Sequence, residues 1–193
     1  MVAEKSELVQ AAIRERTTVH DYATTEVQPD ALTRALRAAL SAPNHRMTEP
    51  WRFVVVGRQS RQALVEISVA LKAAKVKGEL DPSTVRSTRE KMLNPAQLVV
   101  ASQVRVPNPE VAREDYAAMA CAIQNIMLSL HSEGIGSKWS TGAVIRDART
   151  YQHLGIDSNL EEIVGFIWVG MPADPPAKLA RKRALDQVVR YLP

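Results

Sequence analysis

The chain has 193 residues, 46% hydrophobic and 24% charged, a composition that fits one globular core. Its 25 basic and 21 acidic residues leave a mild +4, and with aromatics at 5% there is no basic, ring-rich stripe of the kind that binds nucleic acid. No apolar run approaches the roughly 18 residues of a membrane span. The first residues lack the apolar centre of a secretory signal, and one cysteine excludes an internal disulfide framework. The expectation is a cytoplasmic protein with neither membrane nor nucleic acid as a partner.

A first helix is expected from Ser6, as its cap, to about Arg14. Pro29 opens a second, where Leu32, Ala35, Leu36, Ala39 and Leu40 repeat at helical spacing until Pro43. Phe53 to Val56 reads as a buried strand ended by Gly57. A helix follows from Arg61 to Lys75, then a charged segment punctuated by Gly78 and Pro82, then a helix to about Met92. Pro95 breaks the chain before a second strand at Leu98 to Ala101. Arg113 to Ser132 is the strongest helix, and it is apolar on most sides, as in a core or an interface. Cys121 inside it is expected to be a packed core thiol. Gly134 suits the helix C-cap. Lys138 to Ser140 gives a short strand, Ala148 to Leu154 a short helix, and Ile163 to Val169 a further strand. Beyond Pro172 to Pro176 lies an irregular basic tail. With no repeat, low-complexity tract or linker, residues 1–193 read as one domain. The order predicts an α+β fold, a mixed or antiparallel sheet flanked by helices.

Several chemistries are missing. There is no Walker-type phosphate loop and no G-x-S-x-G elbow. Gly134 and Gly136 give G-x-G, but Trp139 stands where a dinucleotide fingerprint needs its third glycine. His20, His45, His131 and His153 are scattered without metal-ligand spacing, so no metal site is expected. No side chain is singled out as a catalytic nucleophile or an indispensable acid or base.

Three stretches stand out. Arg16-Thr17-Thr18, with His20 beyond it, offers a forked guanidinium, hydroxyls and N–H groups that suit a phosphate monoester; an arginine complementing a helix C-terminus is the competing account. Ser41 to Trp51 spends two prolines, Asn44, His45 and a tryptophan on what could be a short connector, and Trp51 itself reads as core. Gly136 to Gly142 sets small residues around Trp139, able to cradle a ring edge or simply to turn the chain over a buried indole.

In order and spacing these stretches resemble the small, single-domain members of the FMN-dependent nitroreductase family. The resemblance rests on Arg16-Thr17-Thr18, Ala42-Pro43-Asn44-His45 before Pro50-Trp51, Trp139-Ser140-Thr141-Gly142, Val164-Gly165-Phe166 to Gly170-Met171-Pro172, and Arg181 and Arg183 before an apolar C-terminus. It covers about residues 6–190. It implies an interlocked homodimer with two FMN sites at the interface. Arg16, Thr17 and Thr18 would hold the phosphate and ribityl chain, with Arg181 and Arg183 closing on the phosphate. Ser41, Pro43, Asn44 and His45 would come from the other subunit. Trp139, Ser140 and Thr141 would line the isoalloxazine, with His20 a cation near its pyrimidine edge. NADH or NADPH would reduce the flavin, and a nitroaromatic, quinone or similar electron-poor acceptor would reoxidise it by ping-pong kinetics. The alternatives are a flavin storage or sensor module without turnover, a dehalogenase or flavin-modifying member of the fold, and a basic interaction domain with no cofactor. Two departures from the family pattern are Thr17 in place of a second arginine, and Met47-Thr48-Glu49 where many relatives carry Asn and Gln.

Overall fold

The computed structural model describes residues 2–175 and 182–192. The first helix, α1, spans Val2–Glu15, so Ser6 lies inside it instead of capping it. Helix α2 spans Pro29–Ala39 and starts on its proline, as expected. Strand β1 (Trp51–Val56) follows, then α3 (Arg58–Ala73) and α4 (Pro82–Leu93). The remainder is β2 (Gln97–Val104), α5 (Pro109–Ser132), β3 (Gly136–Ser140), α6 (Ala148–Leu154) and β4 (Glu161–Gly170).

The four strands form one sheet in the order β1-β2-β4-β3, every pair antiparallel. The central strands β2 and β4 carry near-continuous apolar runs because helices cover both of their faces. On one face, α2 and α5 pack over Val99, Ala101, Ile167 and Val169. On the other, α3, α4 and α6 pack over Leu98, Val100, Phe166 and Trp168. Trp51 is buried in the first of these clusters, as expected.

Helix α5 begins where Asn108 Oδ1 accepts from the N–H groups of Glu110 and Val111. It ends at Gly134, whose φ of 74° lets the Ile135 N–H reach back to Leu130 O. Its buried side chains include Met119, Ile123, Ile126 and Leu130, which face the sheet. Cys121 is exposed, which corrects the expectation of a core thiol. It lies two residues from both Met119 and Ile123, about 200° around the helix, and so points away from the core they build. Tyr116 and Ala117 are exposed too, and Tyr116 keeps 49% of its surface.

Candidate functional site

Helix α1 ends at Glu15, and Arg16 still donates its N–H to Ala12 O in the last turn. The chain then runs beside β3 as a short extra edge. Thr18 bridges Ser137 in parallel sense, and the Val19 N–H donates to Ser137 O at 3.1 Å. Only glycine permits this approach. A Cβ on Gly136 would lie 2.8 Å from Val19 Cγ2. Val19 is buried, while Thr18 and His20 are exposed. Two of the three singled-out stretches therefore meet. Arg16, Thr17, Gly136 and Ser137 line one cavity of about 170 Å³, with His131 and Pro172 on its rim. Within this region Thr17 Oγ1 is buried and has no hydrogen-bond partner. A buried hydroxyl left this way costs free energy unless a ligand or water completes it.

The edge continues into a second polar pocket of about 160 Å³, lined by His20, Asp21, Tyr22, Ser87, Lys91 and Asn94 among others. The Tyr22 hydroxyl donates to Val19 O at 2.9 Å, and burial, helped by Asp21, raises its ionisation well above the usual phenol range. Lys138 lies near this group. Burial lowers its ammonium from the ordinary lysine range, Lys91 pushes in the same direction, and Asp21 opposes both. Arg16 and His20 on the segment after α1, Lys91 at the end of α4 and Lys138 on β3 thus border these two pockets or lie beside them. Lys91 has no signal in the sequence, because it sits on the exposed side of a charged helix.

Along β3, Trp139 packs on the α5 side of the sheet. Its indole lies against Gly165 of β4. A Cβ there would fall 2.1 Å from Nε1, which is itself buried without a partner. Gly165→Ala should therefore displace Trp139 and destabilise the fold by about 2 kcal/mol, the usual scale of overpacking. Urea unfolding followed by tryptophan fluorescence checks this, and a loss below about 0.5 kcal/mol contradicts the packing. Ser140 Oγ accepts from Trp168 Nε1 at 2.8 Å. Thr141 is exposed and lines a separate cleft with Gln103, Tyr116 and Arg146.

The loop of Ser41, Pro43, Asn44 and His45 lies elsewhere. His45 Nδ1 is 2.8 Å from Glu114 Oε2, near the start of α5. Pro43, Asn44 and His45 border an open groove with Ala117 and Cys121. The Arg16 cavity is bordered by His131, in the last turn of the same helix. Glu114 and His131 are separated by ~26 Å along α5 at a rise of about 1.5 Å per residue. Within one chain the loop and the Arg16 cavity are at opposite ends of α5.

The loop is also strained. Arg46, Met47 and Glu49 have φ of 62°, 53° and 46°. Left-handed backbone in non-glycine residues costs about 1 kcal/mol or more each. Asp115, which is 1% exposed, lies beneath it and takes a hydrogen bond from Thr48 Oγ1. A charged residue in the buried phase of α5 was the signal for Asp115 in the sequence. Arg183 lies exposed in the C-terminal tail, and Arg181 falls outside the described residues.

The fold and this edge define a small α+β protein whose β3 edge gathers Arg16, Lys91 and Lys138 with hydroxyls and with the carboxylates of Asp21 and Glu90. The chain belongs to the nitroreductase family, whose family model matches residues 13–171. It is 29% identical over 176 residues to a Bacillus subtilis protein named "Putative NAD(P)H nitroreductase YfhC", covering 91% of this chain and 90% of that one. A nitroreductase-like protein of Bacillus cereus superposes with a TM-score of 0.81 at 23% identity, over 95% of each chain. A nitroreductase of Desulfovibrio desulfuricans, described as putative and solved in complex with FMN, gives 0.74 at 22% identity, over 96% of each chain.

Proposed function

We propose that this protein is an FMN-dependent oxidoreductase that works as a homodimer, accepts electrons from NADH or NADPH and passes them to a nitroaromatic, quinone or similar electron-poor acceptor. The observation that carries this reading is the meeting of Arg16-Thr17-Thr18 with β3, where a buried Thr17 hydroxyl has no protein partner. That donor set fits a phosphate and a polyol chain. Arg16, Thr17 and Thr18 would hold them, with Arg181 and Arg183 joining from the tail. His20, Lys91 and Lys138 would supply positive potential to the ring's electron-rich edge. Trp139, Ser140 and Thr141 would border the ring. FMN, when bound, supplies the two-electron chemistry, which no side chain of the protein offers. The protein's own part is orientation, charge and exclusion of water.

Exposed apolar side chains support the dimer. Helix α1 has no buried residue, yet it carries Leu8, Val9 and Ile13 exposed. Leu185, Tyr191 and Leu192 in the tail are likewise uncovered. Apolar surface of this kind is a mark of an interface. A second copy would also bring its Ser41, Pro43, Asn44 and His45 to a site that this chain's own loop is too distant to reach.

The test is an anaerobic absorbance spectrum of purified protein with FMN, before and after NADH or NADPH. A retained flavin band that bleaches with one donor supports the oxidoreductase and names its donor. A band that persists favours a storage or sensor module. No retained band overturns the flavin reading.

A further inference from the structure

Asp115 takes no part in the function just described, and it is an unusual group to bury. Its carboxylate lies on the core side of α5, and among the described residues no cation pairs with it. Oδ1 accepts from Thr48 Oγ1, and Oδ2 is buried with no partner at all. The Thr48 hydroxyl in turn accepts from Asn44 Nδ2 at 2.9 Å. Asn44 Oδ1 accepts the Glu49 N–H at 2.7 Å. The result is a relay that runs from a fixed helix, through one hydroxyl and one amide, to the backbone of the loop. Asn44 Nδ2 donates to the Thr48 hydroxyl, which itself lies within reach of Asp115 Oδ1 and, at 3.4 Å, of Asn44 Oδ1.

The segment spanned by that relay, residues 44–49, is the one that holds Arg46, Met47 and Glu49 at positive φ. A loop with three such residues relaxes unless something outside it holds it. The relay reaches the loop at Asn44, Thr48 and Glu49, and so brackets the strained residues. What it holds out is the tip. Arg46 is exposed, and Met47 keeps 77% of its surface. The adjacent His45 is steadied separately by Glu114.

We propose that Asp115 is a positioning residue: through Thr48 and Asn44 it locks residues 44–49 in the conformation that carries Arg46 and Met47 to the acceptor's entrance at the second subunit's flavin. This rests on the reading of the protein as a dimeric flavin oxidoreductase. The relay governs which acceptors enter and how well they are held. The phosphate end of the flavin, read as held at the Arg16 and Thr17 cavity, lies outside the relay.

Thr48→Val tests this, because it keeps the shape of an exposed side chain and removes only the hydroxyl; Thr48→Ser keeps the hydroxyl. Amide hydrogen exchange of the peptide containing Glu49 is read first, on the protein without added ligand. Exchange about tenfold faster in Thr48→Val, with Thr48→Ser close to the parent, is the scale expected for losing one hydrogen bond. Unchanged protection in Thr48→Val overturns the lock. Steady-state kinetics of the FMN-loaded protein with a small and a bulky quinone follow. A KM raised about tenfold for at least one quinone at saturating FMN, with Thr48→Ser restoring the KM, supports the proposal. A loosened loop with both KM values unchanged overturns it. Failure of the parent protein to bind FMN overturns the acceptor role together with the flavin reading, and is told apart from failure of the lock by the exchange result alone.

Discussion

Arg16→Ala should yield protein that folds normally and binds FMN about a hundredfold more weakly, a loss of ~2.7 kcal/mol. Arg16 is the cation that lines the cavity holding the unpartnered Thr17 hydroxyl, and it lies where the chain leaves α1 to pair with β3. A guanidinium engages two phosphate oxygens at once, and charge-assisted bonds of this kind contribute about 1.5–3 kcal/mol each. Since Thr17 stands where family members carry a second arginine, Arg16 supplies the one guanidinium of the Arg16-Thr17-Thr18 stretch. Arg16→Lys keeps the charge and loses the fork, so a loss of about tenfold is expected. Arg14→Ala is the control. Arg14 is exposed two residues earlier and paired with Glu7 at 3.1 Å, so its loss should leave FMN affinity unchanged. Fluorescence titration with FMN checks all three. Equal affinity for Arg16→Ala and the parent would remove the phosphate role. If heparin binding fell instead, with no flavin effect, the basic clusters would belong to an interaction domain.

Much of the frame was legible because its signals are local. The apolar run at Ile163 to Val169 marks a strand covered on both faces, and β4 extends it only to Glu161–Gly170. Ala148 to Leu154 is a helix with the expected bounds. The sequence marks strand β3 only at Lys138 to Ser140, and the strand spans Gly136–Ser140. Gly136 and Ser137 look like turn residues until Val19 is seen packed across Gly136. The exposure of Cys121 is hidden from the sequence for a related reason. Helix α5 is rich in apolar residues all round, and composition alone does not say which side meets the sheet. The site divides in the same way. Arg16 and Thr17 stood out by residue type, but their meeting with Ser137 spans more than a hundred positions and was implied only by the family's order of motifs. Lys91, the orphaned oxygen of Asp115 and the strain at residues 46, 47 and 49 arise from packing, and no periodicity reports them.

The other large effect should come from Arg61→Ala, which should cost about 3–5 kcal/mol of folding stability and weaken FMN binding as a consequence. Arg61 on α3 is 1% exposed and has no carboxylate partner among the described residues. Its Nη1 donates to Met92 O at 3.2 Å and to Pro95 O at 2.7 Å, and its Nη2 to Ala96 O at 3.2 Å. Burial, with Arg58 nearby, lowers its pKa, but a guanidinium starts so high that it stays charged at neutral pH. The charge is held by one carbonyl of the last turn of α4, where the helix dipole is negative, and by two in the connection to β2. One side chain thus closes the corner between α4 and β2 and fixes the helix that carries Lys91. Truncation to alanine leaves a cavity and three carbonyls without their donor. Arg61→Met fills most of the volume and removes the buried charge as well, so a smaller loss of about 1–2 kcal/mol is expected. Urea denaturation monitored by circular dichroism measures both. A loss under about 1 kcal/mol for Arg61→Ala would mean that water reaches the corner and takes over the three carbonyls, a solution the surrounding core of Met92 and Leu93 does not favour.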